Sequence, residues 1–379
     1  LIFAFLLSCV WATQPISCPS FDIPVDIDSD APYIYLIDHD SGLVLLERNG
    51  ERLMHPSSMT KIMTTYLAMK KLESGQIKHN MEFTVSRNAW KREGSSMFLQ
   101  VDTNATLEEL LHGIVIQSGN DASVVLAEGI CGSEAAYAAE MTRLAHKMGA
   151  IHTNFMNATG IPDDKHLTTP KDLALISMRL IEDFPNHYKL YSQKEYTYNK
   201  IKQGNRNPLL YKNIGCDGIK TGSSSKGGYG MVASSIQKGR RLILVINGLR
   251  SMQSRADESM KLMTWGFQTF NAYPLFEKHQ EVGRLRVFYG EKDELVLHVQ
   301  KRLAPLIAHS LRNNLVVKSY LPKAIKGPVK KDQVVGYIQV SGKGFKTPYK
   351  VNVIASQDVR ECGFIKHIRD SLVLLFGKE

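Results

Sequence analysis

The sequence is poor in the groups that hold metals and redox centres. Its five cysteines, Cys9, Cys18, Cys131, Cys216 and Cys362, are scattered over 379 residues. None forms a Cys-x-x-Cys pair, which removes the usual thiolate clamp for zinc and the redox dithiol. Their spacing does not suggest a disulfide framework either, so they read as small buried apolar residues. The 12 histidines show no His-Glu-x-x-His or comparable ligand spacing. No metal and no other cofactor is expected. Negative charge is also short: 37 acidic residues face 47 basic ones, a net charge of +10. Such a surface suits an anionic partner. No basic run is interleaved with aromatics, however, and no zinc-finger spacing occurs, so nucleic acid is not an expected partner. Low-complexity tracts and internal repeats are missing too.

Long hydrophobic runs are equally scarce. The N-terminal stretch LIFAFLLSCVWA is apolar and uncharged, but a bilayer span needs about 20 such residues. It fits the apolar region of a signal peptide, with Val10-Trp11-Ala12 as a small-residue cleavage site. The basic segment and initiator methionine that should precede it are expected upstream of residue 1. Two other readings compete: a lipoprotein box at Leu6-Leu7-Ser8-Cys9, and a buried first strand. Export is the main inference, with residues 1–19 as the signal region.

What is present is a chain with 43% hydrophobic residues, enough for a large core and two or three domains. Residues 33–48 read as a β-hairpin around Asp40-Ser41-Gly42. Pro56 precedes a helix that stops at Gly75. From about 107 to 149, alanine and leucine recur at helical spacing and suggest a helical subdomain. Thr168-Thr169-Pro170 caps another helix. Two strands joined by Lys238-Gly239 follow, then a helix from about 255 to 271. After Pro274 the texture changes to short β-type runs separated by Gly, Pro and Lys turns, which indicates a small all-β domain. The division expected is a catalytic domain at 20–275, a β-sandwich-like domain at 280–360 and a terminal helix at 362–379. In that helix Phe364, Ile365, Ile368, Leu372, Leu375 and Phe376 share one face, with Lys366, His367, Arg369 and Asp370 on the other. Such a helix can lie in a membrane interface; packing against the β domain is the alternative.

Three short motifs carry chemistry. Ser-x-x-Lys occurs at Ser58–Lys61, Ser223–Lys226 and Ser235–Lys238. The second copy lies in a Gly-rich loop and the third in a hairpin turn. Only the first opens a helix, where residues three apart share a face. There Lys61 can take the proton of the Ser58 hydroxyl. An ordinary lysine has a pKa near 10.4, so being neutral near pH 7 costs roughly 4–5 kcal/mol. Desolvation and a nearby cation, for which Lys220 is the candidate, must offset that. Taken alone, the pair would be an ordinary helix start with an exposed lysine.

Ser-x-Asn occurs at Ser86-Arg87-Asn88 and, at a turn between apolar helices, at Ser118-Gly119-Asn120. The Ser118 hydroxyl can pass a proton between Lys61 and a leaving amine, and the Asn120 amide can hold a substrate carbonyl. Lys220-Thr221-Gly222 has no second copy. It reads as a strand, with Lys and Thr on opposite faces and a Gly that lets a substrate backbone come close. The N–H groups of Ser58 and Ser223 can form an oxyanion hole. Each motif alone is a common cap or turn. In this order they describe a serine acyl transferase.

These residues resemble the D-alanyl-D-alanine carboxypeptidases, the low-molecular-weight penicillin-binding proteins. The likeness runs over about residues 28–376 and includes GSSMFL at 94–99, SGNDA at 118–122, NRNPLL at 205–210, DGIKTGSSSKGGYGMVAS at 217–234 and KDQVVGYI at 331–338. It implies an α/β penicilloyl-serine-transferase (β-lactamase-like) domain, with an antiparallel sheet flanked by helices and a helical subdomain. A small all-β C-terminal domain and an amphipathic membrane anchor follow. The resemblance makes Ser58 the acylated nucleophile and Lys61 the proton acceptor. Ser118 and Asn120 form the second motif. Lys220, Thr221 and Gly222 bind the substrate carboxylate with Ser223 beside them; Arg250 assists, and Arg206 neighbours the site. Two departures stand out. Ser223 is often His or Thr in related enzymes, which bears on deacylation, and Ser123 is Cys in some.

The implied reaction removes the terminal D-alanine from peptidoglycan stem pentapeptides, with β-lactams as covalent inhibitors. The implied location is the extracytoplasmic face of the bacterial inner membrane, held peripherally. Competing readings are a class A-like β-lactamase, a peptidoglycan D,D-endopeptidase and a catalytically inert wall-binding scaffold. Against the β-lactamase stands the lack of a placeable deacylating carboxylate.

Overall fold

The computed structural model describes residues 27–342, 345 and 347–376. The expected signal region, with Cys9 and Cys18, lies outside them, as do residues 377–379 of the expected terminal segment. The described chain divides into two compact units, one up to Asn271 and one from Ala272 onward.

The first unit is built on a five-stranded sheet. Its strands are β1 (Tyr33–Asp38), β2 (Val44–Arg48), β3 (Cys216–Ser224), β4 (Gly228–Gln237) and β5 (Arg240–Leu249). Their order is β2-β1-β5-β4-β3, with every pairing antiparallel. Lys238 and Gly239 both take positive φ (51° and 76°). That is the turn chemistry a two-residue hairpin between β4 and β5 requires. β1 and β5 are buried on both faces because helices cover both sides. On one side, Tyr35, Ile37, Ile219, Val232, Ile243 and Val245 join the cluster that includes Ile62, Met63 and Tyr66 of helix α1 (Lys61–Glu73). On the other, Leu36, Leu45 and Leu242 meet Gly266 of a helix at Met252–Thr269. That helix starts three residues before the expected Arg255, because Ser251 caps it by accepting from Ser254 N.

A helical subdomain lies between the first and last strands of the sheet in sequence. It comprises α2 (Leu107–His112) and α3 (Asn120–Cys131), packed around Phe83, Leu107, Leu110, Val124 and Leu126, and α4 (Glu134–Met148), whose Tyr137, Met141 and Ala145 join the cluster on the sheet side. α2 runs into a wide π-helical turn, Gly113–Gln117, that ends at Ser118. α5 (Pro170–Asp183) follows, capped by Thr169 with Pro170 at its first position. The described cysteines are partly rather than fully buried. Burial still pushes the thiols of Cys131 and Cys216 up to about 11.

In the second unit the short runs join into one six-stranded sheet. With β6 (Glu281–Phe288), β7 (Glu294–Val299), β8 (Leu315–Tyr320), β9 (Ala324–Lys326), β10 (Val334–Gly342) and β11 (Tyr349–Ala355), the order is β8-β10-β11-β7-β6-β9. Leu295, Leu297, Val340 and Val353 centre its core. The terminal helix, Phe364–Phe376, turns its polar face to this sheet. Asp370 is 2% exposed and accepts from Tyr289 N at 2.8 Å. Lys366 and Arg369 pair with Asp293 at 2.8 and 2.6 Å, and His367 stacks on Tyr289. The apolar face points away: Phe364, Ile365, Leu375 and Phe376 are 74–85% exposed. Among the described residues no helix is long and apolar enough to cross a membrane.

The sheet core should carry much of the first unit's stability. Ile243→Ala, at a fully buried position of β5, is expected to cost about 2–5 kcal/mol in chemical denaturation. A cost near zero would mean that this layer is not the core.

Candidate functional site

Ser58 lies in a tight 3-10 turn, Ser57–Thr60, that leads into α1. In such a turn residues three apart eclipse each other, so Lys61 sits over Ser58. Its Nζ is 3.1 Å from Ser58 Oγ. Two further oxygens complete the surroundings: Asn120 Oδ1 at 2.7 Å and the Thr159 carbonyl at 2.6 Å. A neutral amine has two N–H donors and one lone pair. The two short contacts use the donors, which leaves the lone pair for the hydroxyl of Ser58. Lys61 is 1% exposed, whereas Ser58 stays half-buried and reachable.

Burial pushes Lys61 down to about 7, and the positive charge of Arg206 adds to the effect, against Asp121 and Glu134. The cation expected in this role was Lys220; the structure places Arg206 ahead of it. Lys220 is itself 3% exposed and held well below its ordinary value. Desolvation is the chief cause, followed by the charges of Lys61, Arg206 and Arg255. Both amines sit in one dry, positively biased pocket, which disfavours the ammonium on each.

The second motif reaches the pocket through the π-helical turn. Ser118 ends it in the left-handed region (φ 61°) and is 2% exposed. Asn120 then starts α3, with its backbone N–H on Ser95 O at 2.6 Å and its Nδ2 on Glu93 O at 2.7 Å. The expected partner of this amide was a substrate carbonyl. In the structure its oxygen accepts from Lys61, and one of its two N–H groups donates to Glu93 O. Asp121 explains why GSSMFL and SGNDA occur together. Its carboxylate accepts from Ser96 Oγ, Met97 N and Leu99 N at 2.6–3.1 Å, folding residues 95–99 over the start of α3.

The third motif is on β3, the edge of the sheet. Here the strand passes directly beside the turn that carries Ser58. A Cβ at Gly222 would lie 2.9 Å from Pro56 O and 3.2 Å from Met59 N, so only glycine allows this approach. Ser57 Oγ and Ser224 Oγ, 2.7 Å apart, stitch the turn to the strand. Lys220 and Thr221 are both buried while Ser223 is exposed. The loop bearing Thr159 also comes close to this turn. Gly160 has φ +84°, and a Cβ there would collide with Ser57 O.

The arginines divide differently from expectation. Arg206 is exposed and donates to Ser95 Oγ. Arg250 is also exposed, at the end of β5. Both Arg206 and Arg255 bear on Lys220 by charge; Arg255 is 6% exposed and lies over the ring of Tyr229. Its Nε has no hydrogen-bond partner among the described residues. Sequence reasoning passed over Arg255, although Arg255, Ser259 and Leu262 share the buried stripe of their helix at the i, i+4, i+7 spacing of an inward face. Thr159 was unreadable in advance because it acts through its backbone carbonyl.

The chain is similar to known proteins in both of its units. A family model described as D-alanyl-D-alanine carboxypeptidase matches residues 20–251, and one for the C-terminal domain of penicillin-binding protein 5 matches residues 270–361. The chain is 35% identical over 347 residues to D-alanyl-D-alanine carboxypeptidase DacA of Haemophilus influenzae, covering 89% of this chain and 88% of that protein. The structure is similar to that of penicillin binding protein 5 from Haemophilus influenzae, with a TM-score of 0.81, 33% identity, and coverage of 89% of this chain and 99% of that one. It is also similar to penicillin-binding protein D2 from Listeria monocytogenes in its ampicillin-bound form, with a TM-score of 0.59, 26% identity, and coverage of 64% and 99%.

If Arg206 helps to keep Lys61 uncharged, its removal should raise the lysine's pKa. The neutral base then becomes abundant only at higher pH. Arg206→Gln is expected to move the acidic limb of serine acylation upward from about pH 7, read from the pH dependence of the second-order rate constant with a penicillin. A limb that stays put or moves down would remove Arg206 from this role.

Proposed function

Because the chain belongs to the D-alanyl-D-alanine carboxypeptidase family, we propose that it removes the terminal D-alanine from peptidoglycan stem peptides through an acyl-enzyme on Ser58. The observation that carries this reading is the Lys61 amine, buried at 1% exposure and 3.1 Å from the Ser58 hydroxyl. Ser58 Oγ attacks the carbonyl carbon of the scissile D-Ala–D-Ala bond as its proton passes to Lys61 Nζ. The oxyanion is taken by the N–H groups of Ser58 and Ser223. When the intermediate collapses, the C–N bond breaks and the leaving amine receives the proton from Lys61 by way of the Ser118 hydroxyl. Water then hydrolyses the ester. β-Lactams present the same carbonyl and carboxylate and acylate the same oxygen.

Recognition of the free carboxylate falls to Lys220 and Thr221 on β3, with Arg255 in the part first assigned to Arg250. An entering carboxylate supplies the negative charge this pocket lacks and restores the ammonium of Lys220. β3 is an edge strand, so an extended peptide can pair with its open side. Residues 20–275 serve catalysis in this reading, 280–360 form the β domain and 362–379 the anchor. The terminal helix shows its apolar face to the surroundings because its charged face is already used on the β domain. A lipid interface is what such a face fits. Each side chain that enters it contributes at most roughly 1.5–3 kcal/mol, so several must act together. The enzyme then works peripherally on the extracytoplasmic face of the inner membrane, where its substrate is.

Fluorescent penicillin should label the protein covalently, and Ser58→Ala should abolish both the label and release of D-alanine from a pentapeptide. Undiminished label on that variant would reject the assignment. For the anchor, Ile365→Glu combined with Leu375→Glu should shift the protein from sedimenting with anionic vesicles to the supernatant, without loss of penicillin labelling. Unchanged sedimentation would contradict a membrane role for this face.

A further inference from the structure

We propose that His166 is a positioning residue for acyl transfer: it ties the segment 156–159, which ends in the carbonyl that holds Lys61, to the turn that carries Ser58. The inference rests on the acyl-enzyme reading above. His166 is 1% exposed and packs edge-on against Phe155 at 5.6 Å. Its Nδ1 accepts from Met156 N at 3.1 Å, and its Nε2 lies 2.8 Å from Thr60 Oγ1. Since Nδ1 accepts from a backbone N–H, the ring proton sits on Nε2 and is donated to Thr60. Burial, with the charges of His55 and Lys61, pushes the ring down to about 4 against the opposing charge of Asp163. The imidazole is therefore neutral at working pH and holds one tautomer.

Thr60 sits between Ser58 and Lys61 in the chain, so the bond reaches the middle of the catalytic pair. The loop segment is stiff in itself. Asn157 Oδ1 accepts from Thr159 N, Thr159 Oγ1 and Gly160 N. It thus moves as one piece, and its place is set by its outer ties. Those are Thr64 Oγ1 on Ala158 O at 2.7 Å, Glu134 Oε1 on Ala158 N at 3.1 Å, the Met156–His166–Thr60 relay, and Lys61 itself on Thr159 O. Without the relay, the amine that should transfer a proton would instead be helping to restrain the loop. The Thr159 carbonyl would then withdraw and water would reach Nζ. The other charged groups acting on that amine are Arg206, Asp121, Glu134 and Lys220, all unaltered by a change at position 166.

The test is the pH profile of penicillin acylation, measured beside thermal stability. His166→Ala should slow acylation by about tenfold or more, as misplacement of a reacting group does. Its acidic limb should move to higher pH, because water relieves the desolvation that is the largest influence on Lys61. His166→Asn keeps an acceptor where Nδ1 stood and should recover part of the rate. Thr60→Val leaves the imidazole in place, removes only the helix-side bond and should move the limb the same way. It decides the matter if His166→Ala does not fold. A purely structural histidine would lower the melting temperature and leave the limb at its wild-type position; that result in the folded variants, or equal losses in the Ala and Asn variants, overturns the proposal. Failure of the wild-type protein to be acylated at all would instead sink the acyl-enzyme reading.

Discussion

The structure turns on keeping one amine dry and uncharged while surrounding it with oxygen. Desolvation alone would favour the neutral form of Lys61, but an amine in an apolar pocket would have no fixed direction. The Asn120 and Thr159 oxygens at 2.7 and 2.6 Å provide one. They use the N–H groups and leave the lone pair for the hydroxyl. Each oxygen is itself held from behind. The Asn120 side chain is anchored on Glu93 O, and the Thr159 segment is stiffened by Asn157. The polar cage and the burial work together only because the cage is made of neutral dipoles. A carboxylate in direct contact would favour the ammonium and disable the base.

The positive rim follows from the same constraint. Arg206 disfavours a charged Lys61, and Lys61, Arg206 and Arg255 disfavour a charged Lys220, which adds to burial in keeping both lysines below their ordinary values. An arrangement of this kind is strained without an anion and relieved by one. A ligand with a free carboxylate, as the proposed reaction requires, would supply that anion. The edge position of β3 adds backbone complementarity. Two glycines, Gly222 and Gly160, let strand and loop close on the turn that carries Ser58. In the second unit the terminal helix reverses the usual amphipathic arrangement. Asp370, Lys366 and Arg369 are satisfied by the protein, so its aromatic and aliphatic side chains are left to meet whatever surrounds the molecule.

Much of this was legible in advance where the signal is local. Ser58 and Lys61 are related by helical geometry, the Lys238-Gly239 turn by backbone conformation, and the two faces of the terminal helix by periodicity. The small hairpins Glu82–Thr84 with Asn104–Thr106 and Glu195–Tyr198 with Ile201–Gly204 were not legible. Their strands are three or four residues long, too short for alternation to show. Arg250 was assigned through the resemblance, on its place after a strand, whereas Arg255 lies on the buried face of the next helix.

The order and residue types of the three motifs, and the elements that carry them, are properties of the sequence, since they depend on neighbours only a few positions apart. Which cation bears on Lys61, what the Asn120 side chain bonds to, and which carbonyl completes the cage were decided only by the tertiary structure. Those roles depend on distances between segments that lie about a hundred residues apart in the chain, and charge and hydrogen-bond strength change steeply over one or two ångströms. Local pattern carries no information on that scale; packing of loop, turn and strand around Ser58 does.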